Sequence, residues 1–111
     1  MAELPLNEGT TVTLDGSGNG RASLGPTFGP ALWHVTATSV RTSQPGQGNI
    51  PLCAIYRATE DAAGYLDTTY DGSADVCDIA YDLAQGIRVI AVWSGGNPGD
   101  IATLGVTGTK E

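Results

Sequence analysis

The chain has 111 residues, about the length of one domain, and its twelve acidic and five basic side chains give a formal net charge of −7. This charge balance leaves no basic surface for nucleic-acid phosphates or for an anionic membrane, so we expect neither as a partner. Sixteen glycines and six prolines interrupt the sequence throughout, which favours short strands and turns over long helices.

The N-terminal residues 1–9 show no periodicity and are predicted to form an arm, followed by a single domain over residues 10–111. Apolar and polar residues then alternate in a series of short segments, as expected for strands with one buried face. The connection at 58–64 has room for one helical turn, and the connections at 14–20 and 94–100 are predicted to be hairpin turns. The predicted strands are 10–14, 20–25, 31–41, 50–57, 65–70, 74–82, 87–93 and 101–109.

These predicted strands number about eight and begin at intervals of about eight to twelve residues, without a convincing helix between them. This pattern is typical of an all-β fold, and we expect an antiparallel β-sandwich. A count of eight strands is also compatible with a jelly roll, although the sequence does not fix the strand order.

The stretch "LDGSGNGRASLGP" raises the question of a metal site, because Asp15, Ser17 and Asn19 stand at alternate positions of a calcium-type loop. The twelfth position of that loop needs a bidentate glutamate and here is Pro26, which has no side-chain oxygen. A tight glycine-rich turn between strands is therefore the preferred interpretation.

The two cysteines, Cys53 and Cys77, allow two interpretations. They are either buried thiols that pack as small hydrophobic side chains or one disulfide that joins two strands. The N-terminal sequence lacks the basic start and apolar run of a signal peptide, so we expect synthesis in a cytosol, where thiols are favoured. A zinc site is not expected, because the chain has one histidine and no CxxC pair.

Catalytic chemistry is not expected, and neither a cofactor nor a metal is predicted. The single histidine, His34, lies within a predicted strand, where a hydrogen bond to a neighbour is favoured over a role as general base. The aspartates at 67, 71, 75, 78 and 82 fall at predicted turns and outward strand positions, so a solvated acidic rim is favoured over a paired catalytic site.

The aromatic residues divide into two groups. Trp33 and Trp93 lie in the two most apolar strands and are predicted to be core residues. Tyr65 and Tyr70 flank a turn and are better candidates for a surface contact. Exposed aromatic rings stack on sugars, so these tyrosines leave a carbohydrate-binding or adhesion module open as an alternative function.

Four stretches together resemble the small accessory proteins of tailed phages that infect actinobacteria, over roughly residues 12–109. The four stretches are "LWHVTATSVRTS", "IPLCAIYR", "DTTYDGSADVCDI" and "VWSGGNPGDIATLGVTGT". Their most specific parts are "CAIY", "TYDGSAD" and "VWSGGNPGDIATL", and none of these is a catalytic motif.

This resemblance implies a β-sandwich that is built into or onto the virion. We therefore expect a non-enzymatic capsid decoration protein or minor tail protein, located in the particle after synthesis in the host cytoplasm. The implied partners are the major capsid or tail proteins, and such proteins usually act as symmetric homo-oligomers. The predicted arm, residues 1–9, would add a strand to the sheet of a neighbouring chain.

Overall fold

The computed structural model describes residues 4–26, 32–43, 49–69 and 74–111. Within these ranges the chain forms nine β-strands and no helix, which confirms the predicted all-β class. The strands are β1 (Leu4–Thr13), β2 (Gly20–Leu24), β3 (Leu32–Thr42), β4 (Leu52–Arg57), β5 (Tyr65–Thr69), β6 (Ala74–Cys77), β7 (Tyr81–Ala84), β8 (Val89–Ser94) and β9 (Ile101–Lys110).

The strands form two packed antiparallel sheets, so the predicted β-sandwich is confirmed. Sheet A has the order β1-β9-β3-β6, with β7 also paired to β3, and sheet B has the order β2-β8-β4-β5. Strands β6 and β7 pair with different halves of β3 and share one position in the sheet. The pairs β1/β9, β2/β8, β3/β6-β7 and β4/β5 thus alternate between the sheets, which is the strand order of a jelly roll.

The core between the sheets is formed by alternate residues of the strands. Trp93 on β8 is its largest fully buried side chain, with no exposed surface. On β9, the alternate residues Ala102, Leu104 and Val106 are buried. Each fully buried large apolar side chain contributes about 1.5–3 kcal/mol relative to exposure, so the inward positions of the four interior strands, β3, β4, β8 and β9, make a large contribution to stability.

The first strand is longer than the sequence predicts. It begins at Leu4 rather than Thr10 and pairs with β9 along its whole length, so the predicted arm is wrong for residues 4–9. Leu6 is the single buried residue in this part, which is too few for a visible period. Pro5 is tolerated because β1 is an edge strand of sheet A.

Two predicted alternation patterns are interrupted in the structure. In β3 the pairing with β9 shifts between Val35 and Ala37, so the buried positions change phase from Val35 to Thr38. The predicted strand 74–82 is two strands, with a break that leaves Ile79 41% exposed while Tyr81 is buried. Both irregularities depend on how each strand pairs with its neighbours, and the alternation of residues along one strand carries no information about that pairing.

The connections 14–20 and 94–100 were predicted to be hairpins, and both predictions are wrong. Each connection crosses from one sheet to the other, because β1 and β9 belong to sheet A whereas β2 and β8 belong to sheet B. The two connections contact one another where the Gly96 amide donates to the Gly18 carbonyl at 2.9 Å. Gly18 has φ 75°, and a Cβ there would overlap the Gly96 carbonyl, so this contact requires glycine.

Candidate functional surfaces

The histidine of the chain lies at a cluster of two carboxylates on sheet A. His34 on β3 faces Asp82 on β7 in the strand register, and the Nδ1 to Oδ1 distance is 2.8 Å. Its Nε2 atom lies 2.6 Å from Oε2 of Glu111, which follows β9. The sequence alone does not identify which acidic residue contacts His34, because that contact depends on the register of β3 with β7.

This cluster holds the histidine in its charged form. Hydrogen bonds from the ring to Asp82 and then Glu111 raise the pKa of His34 from 6.5 to about 9. At neutral pH both ring nitrogens therefore donate to carboxylates, and neither has a lone pair with which to accept a substrate proton. The predicted hydrogen-bonded sheet histidine is confirmed, and the arrangement fastens β3, β7 and the end of β9.

The predicted acidic rim is only partly an exposed surface. Asp75, Asp78 and Asp82 are exposed, although Asp82 is also paired with His34, and Asp71 lies outside the described residues. Asp67 is half-buried, and burial of the Cys77 thiol, followed by the hydrogen bond to Asp67, raises the pKa of that thiol. Across the described ranges, no group of three or more His, Cys, Asp or Glu side chains is placed to hold a metal ion.

The opening turn uses its aspartate internally. Asp15 Oδ1 accepts hydrogen bonds from the amides of Ser17 at 2.8 Å and Asn19 at 3.0 Å. These bonds lower the pKa of Asp15, the Asn19 amide more strongly than the Ser17 amide. The carboxylate is thus occupied by its own loop, which agrees with the turn rather than the calcium site.

Both cysteines are free thiols, so the preferred interpretation is confirmed. Cys53 on sheet B has no exposed surface, and Cys77 on sheet A is 3% exposed. Burial raises the pKa of Cys53 to about 12 and also raises the pKa of Cys77. Neither thiol has the thiolate character that nucleophilic or metal chemistry requires.

The aromatic side chains fall into the predicted two groups wherever the structure describes them. Trp93 is buried in the core, which confirms its prediction, whereas Trp33 is partly buried and packs against the core. Tyr65 is 49% exposed, in agreement with its prediction as a surface residue. Tyr70 lies outside the described residues.

The outer face of β1 and β9, here called the sheet A face, carries no charged side chain. A shallow groove of about 690 Å³ lies where Gly9 and Gly105 face each other next to Ser39, and its lining extends beyond this face to the charged residues Glu8, Arg41 and Asp75. Exposed Val76 lies beyond Ser39 at one end of this row. The face consists of Pro5, Asn7, Gly9, Thr11, Thr13, Ile101, Thr103, Gly105, Thr107 and Thr109.

The outer face of sheet B has a different composition. The strand register places Tyr65, Tyr56, Ile90 and Ser23 side by side across all four strands, and we call this set the aromatic row. The rings of Tyr65 and Tyr56 meet edge to face, with centroids 5.9 Å apart and planes at 69°. The Tyr65 hydroxyl lies 2.6 Å from Oγ1 of Thr68, which fixes the orientation of the exposed ring.

Comparison of the chain with protein-family models, curated proteins and solved structures found no match. The resemblance to phage accessory proteins therefore remains a prediction from the sequence. A search of the described residues for a helix long and apolar enough to cross a membrane found none.

Proposed function

We propose that the protein is a non-enzymatic structural protein of a phage particle, either a capsid decoration protein or a minor tail protein. Its location would be the virion, with major capsid or tail proteins as partners and several copies acting together. The uncharged sheet A face is the observation that carries this proposal on the structural side. The jelly-roll order is compatible with it, because capsid proteins are among the proteins built on this fold, as are lectins.

The distribution of charge supports docking through the sheet A face. The chain has twelve acidic and five basic side chains, yet none of the ten outward positions on β1 and β9 is charged. The centres of protein interfaces are depleted in charged residues, because burying a charge costs far more than burying a hydroxyl or a methyl group. The outward positions of β1 and β9 can therefore be covered at low desolvation cost, whereas Arg41 and His34 on the neighbouring strand β3 border them on the same side of the sheet.

The size of this face favours repeated docking sites. Ten residues of paired strand extend about 34 Å, and two strands are about 10 Å wide, which gives roughly 300 Å². A stable protein interface usually covers about 800 Å² per partner, so a single copy would dock weakly. Many copies on a repetitive surface gain avidity, which favours a capsid decoration over a single tail component.

The His34 cluster supports the non-enzymatic part of the proposal. The chain contains one histidine, and two carboxylates hold it as an imidazolium with a pKa of about 9. A histidine in this state is a poor general base at neutral pH.

Immunogold labelling of particles from a lysate of the source tests the location. Dense label over the heads would support a decoration protein, and label confined to the tail would support a minor tail protein. Absence of label from every particle would refute the virion proposal.

A charge-matched pair of variants tests the docking face. Thr107→Glu places a carboxylate on the sheet A face, and Gln85→Glu adds the same charge at an exposed turn. We expect the first variant to lose at least about tenfold in particle occupancy and the second to bind like the unmodified chain. Equal occupancy of the two variants would contradict docking through this face.

A carbohydrate-binding or adhesion module is the second candidate function, favoured by the exposure of Tyr65. A pull-down with cell-wall polysaccharide tests this second candidate: retention would support glycan binding, and absence of retention would argue against it, whereas the location in the particle is tested separately by the immunogold labelling.

A further inference from the structure

The segment that carries the aromatic row departs twice from regular strand geometry. The first departure is a β-bulge in β5, where Tyr56 pairs with Tyr65 but Ile55 pairs with Asp67. Leu66 is the extra residue and packs against the core. Without the bulge, strict alternation from Asp67 would turn Tyr65 inward, so the bulge aims its ring at the outer face.

The second departure is a strained turn directly after β4. Ala58 has φ 72°, and the amide of Thr59 donates to the carbonyl of Arg57 at 2.9 Å, which defines a γ-turn of the rare positive-φ type. A non-glycine residue in this region costs about 1–3 kcal/mol and persists where its surroundings enforce it. Here the Ala58 amide donates to the Arg88 carbonyl of the adjacent strand region at 2.8 Å.

The connection that follows is held in one conformation by its own polar groups. Asp61 Oδ1 accepts from the hydroxyl of Thr59 at 2.8 Å and from the amide of Ala63 at 3.0 Å. The one helical turn predicted for residues 58–64 is absent, and a bend and turn occur instead. These local hydrogen bonds favour one conformation of the connection, which would lower the entropic cost of binding.

This connection, residues 58–64, contacts the outer face of sheet B. Glu60 forms an ion pair of 2.6 Å with Arg21 on the edge strand β2, although β8 lies between β2 and β4. Arg21 points outward, because its register partner Val92 lies between the buried positions of β8. A charged pair with both donors and acceptors thus stands beside the aromatic row.

The aromatic row has the dimensions and chemistry of an elongated binding site. Four adjacent strands place Tyr65 about 14 Å from Ser23, at three strand spacings. At the Ser23 end, Arg88 donates to the serine hydroxyl and carbonyl, each at 3.0 Å. The row therefore begins with an exposed ring, continues over apolar Ile90 and ends at polar groups.

We propose that the outer face of sheet B binds a short neutral oligosaccharide. One sugar ring stacks on Tyr65, and further units extend over Ile90 toward Ser23. The ion pair of Arg21 and Glu60 provides hydrogen bonds to sugar hydroxyls. The net charge of −7 disfavours acidic saccharides, and aromatic stacking with planar polar groups suits the alternating apolar and hydroxyl surfaces of a neutral pyranose.

This site lies on the opposite outer face of the sandwich from the sheet A face, so both can be occupied at once. The site does not depend on the virion proposal, since the row would bind sugar equally well on a free chain. On a particle, docking through sheet A would leave sheet B directed away from the docking surface. The protein would then add carbohydrate affinity to the particle.

The test uses the purified full chain on immobilised neutral oligosaccharides of two to four units, built from glucose, galactose, mannose or N-acetylglucosamine. Retention is measured at low and high salt, because stacking on a neutral sugar persists where ionic retention is lost. Tyr65→Ala removes the ring, Tyr65→Phe keeps it, and Ile101→Ala alters an equally exposed apolar residue on sheet A.

We expect salt-resistant retention of the unmodified chain on at least one oligosaccharide. Tyr65→Ala should weaken this retention about tenfold, which corresponds to the loss of one ring-stacking contact, Tyr65→Phe should lose less because it keeps the ring without the hydroxyl contact to Thr68, and Ile101→Ala should bind within about twofold. Retention on none of the oligosaccharides would overturn the proposal, as would equal retention of Tyr65→Ala and the unmodified chain. Particle occupancy is a separate measurement, so failure of sugar binding leaves the virion proposal standing and the reverse is also true.

Discussion

The two outer faces of the sandwich share one core but differ in chemistry and in regularity. The sheet A face is uncharged and rich in threonine and glycine, over ten in-register pairs between β1 and β9. The outer face of sheet B carries the aromatic row, an ion pair, a bulge and a γ-turn. Because side chains alternate along a strand, each outer face is specified by every second residue and can change without altering the core.

This difference indicates which kind of contact each face suits. A regular, flat, uncharged sheet surface fits a broad partner that covers it as a whole. A face with a locked ring and a rigid adjoining connection fits a small ligand that needs a few well-placed groups. The comparison can be tested by changes that affect both faces, one face or neither.

Trp93→Ala should have the largest effect, because it removes a core side chain on which both sheets, and therefore both outer faces, depend. The indole is fully buried between the sheets, so its removal leaves a large cavity and should lower the free energy of unfolding by about 3–5 kcal/mol. Urea denaturation followed by circular dichroism measures this loss. Ile101→Ala, at a position 49% exposed, should change stability by less than about 1 kcal/mol, and a similar loss in both variants would contradict the assigned core.

Gly18→Ala should weaken the connection between the sheets. The new methyl group would overlap the Gly96 carbonyl at a positive φ, so we expect a loss of about 1–3 kcal/mol in the free energy of unfolding. Gly16→Ala is the matched control, because nothing lies within 4 Å of its Cβ position. Thermal denaturation of the two variants should separate them clearly, and equal melting temperatures would argue against the Gly18–Gly96 contact.

The pH dependence of stability should reveal a contribution from sheet A alone. The folded-state pKa of His34 is about 9 against an ordinary value of 6.5, so the folded state binds the proton more tightly than the unfolded state. This contribution is fully present below about pH 6.5 and is lost as pH rises through about 9.

The variant His34→Gln isolates this contribution. Its difference in unfolding free energy from the unmodified chain should be larger near about pH 6 than near about pH 10, and Glu111→Gln should show a smaller version of the same trend. A difference that does not vary with pH would show that the imidazolium cluster does not contribute to folding.

The two cysteines, one in each sheet, should behave alike. Because both thiols are buried and have raised pKa values, neither should react with a thiol reagent in the native protein at neutral pH. Mass spectrometry should find no label on the folded chain and two labels after unfolding in denaturant. Rapid native labelling of Cys77 alone would show that the edge of sheet A opens more readily than the 3% exposure of this residue indicates.

The sequence predicted most strands, because alternation of apolar residues is a local property. The inward residues of β9 and the extent of β4 follow directly from it. The first half of β1, the phase change in β3 and the break before Tyr81 did not follow, because each is imposed by the partner strands. The strand order could not be predicted from the alternation of apolar residues either, because alternation indicates which face of a strand is buried and not which strand lies beside it.

The candidate sites were predictable to different degrees. Tyr65 was expected at the surface from its position beside a turn. The contact between His34 and Asp82 joins residues separated by 48 positions in the chain, and the ion pair of Arg21 with Glu60 likewise joins β2 to a distant connection. The sheet A face was not foreseen, because its outward positions belong to strands at opposite ends of the sequence.

The place of β9 between β1 and β3 has a consequence for folding during synthesis. Sheet B is complete once Ser94 has left the ribosome, because all four of its strands precede that point. Sheet A instead has a gap at its centre until β9, the last strand, has been synthesised. Strand β1 therefore has no pairing partner within its own sheet during nearly the whole of synthesis. Such long-range closure is slow, so the nascent protein should pass through a state with one finished sheet and one open one.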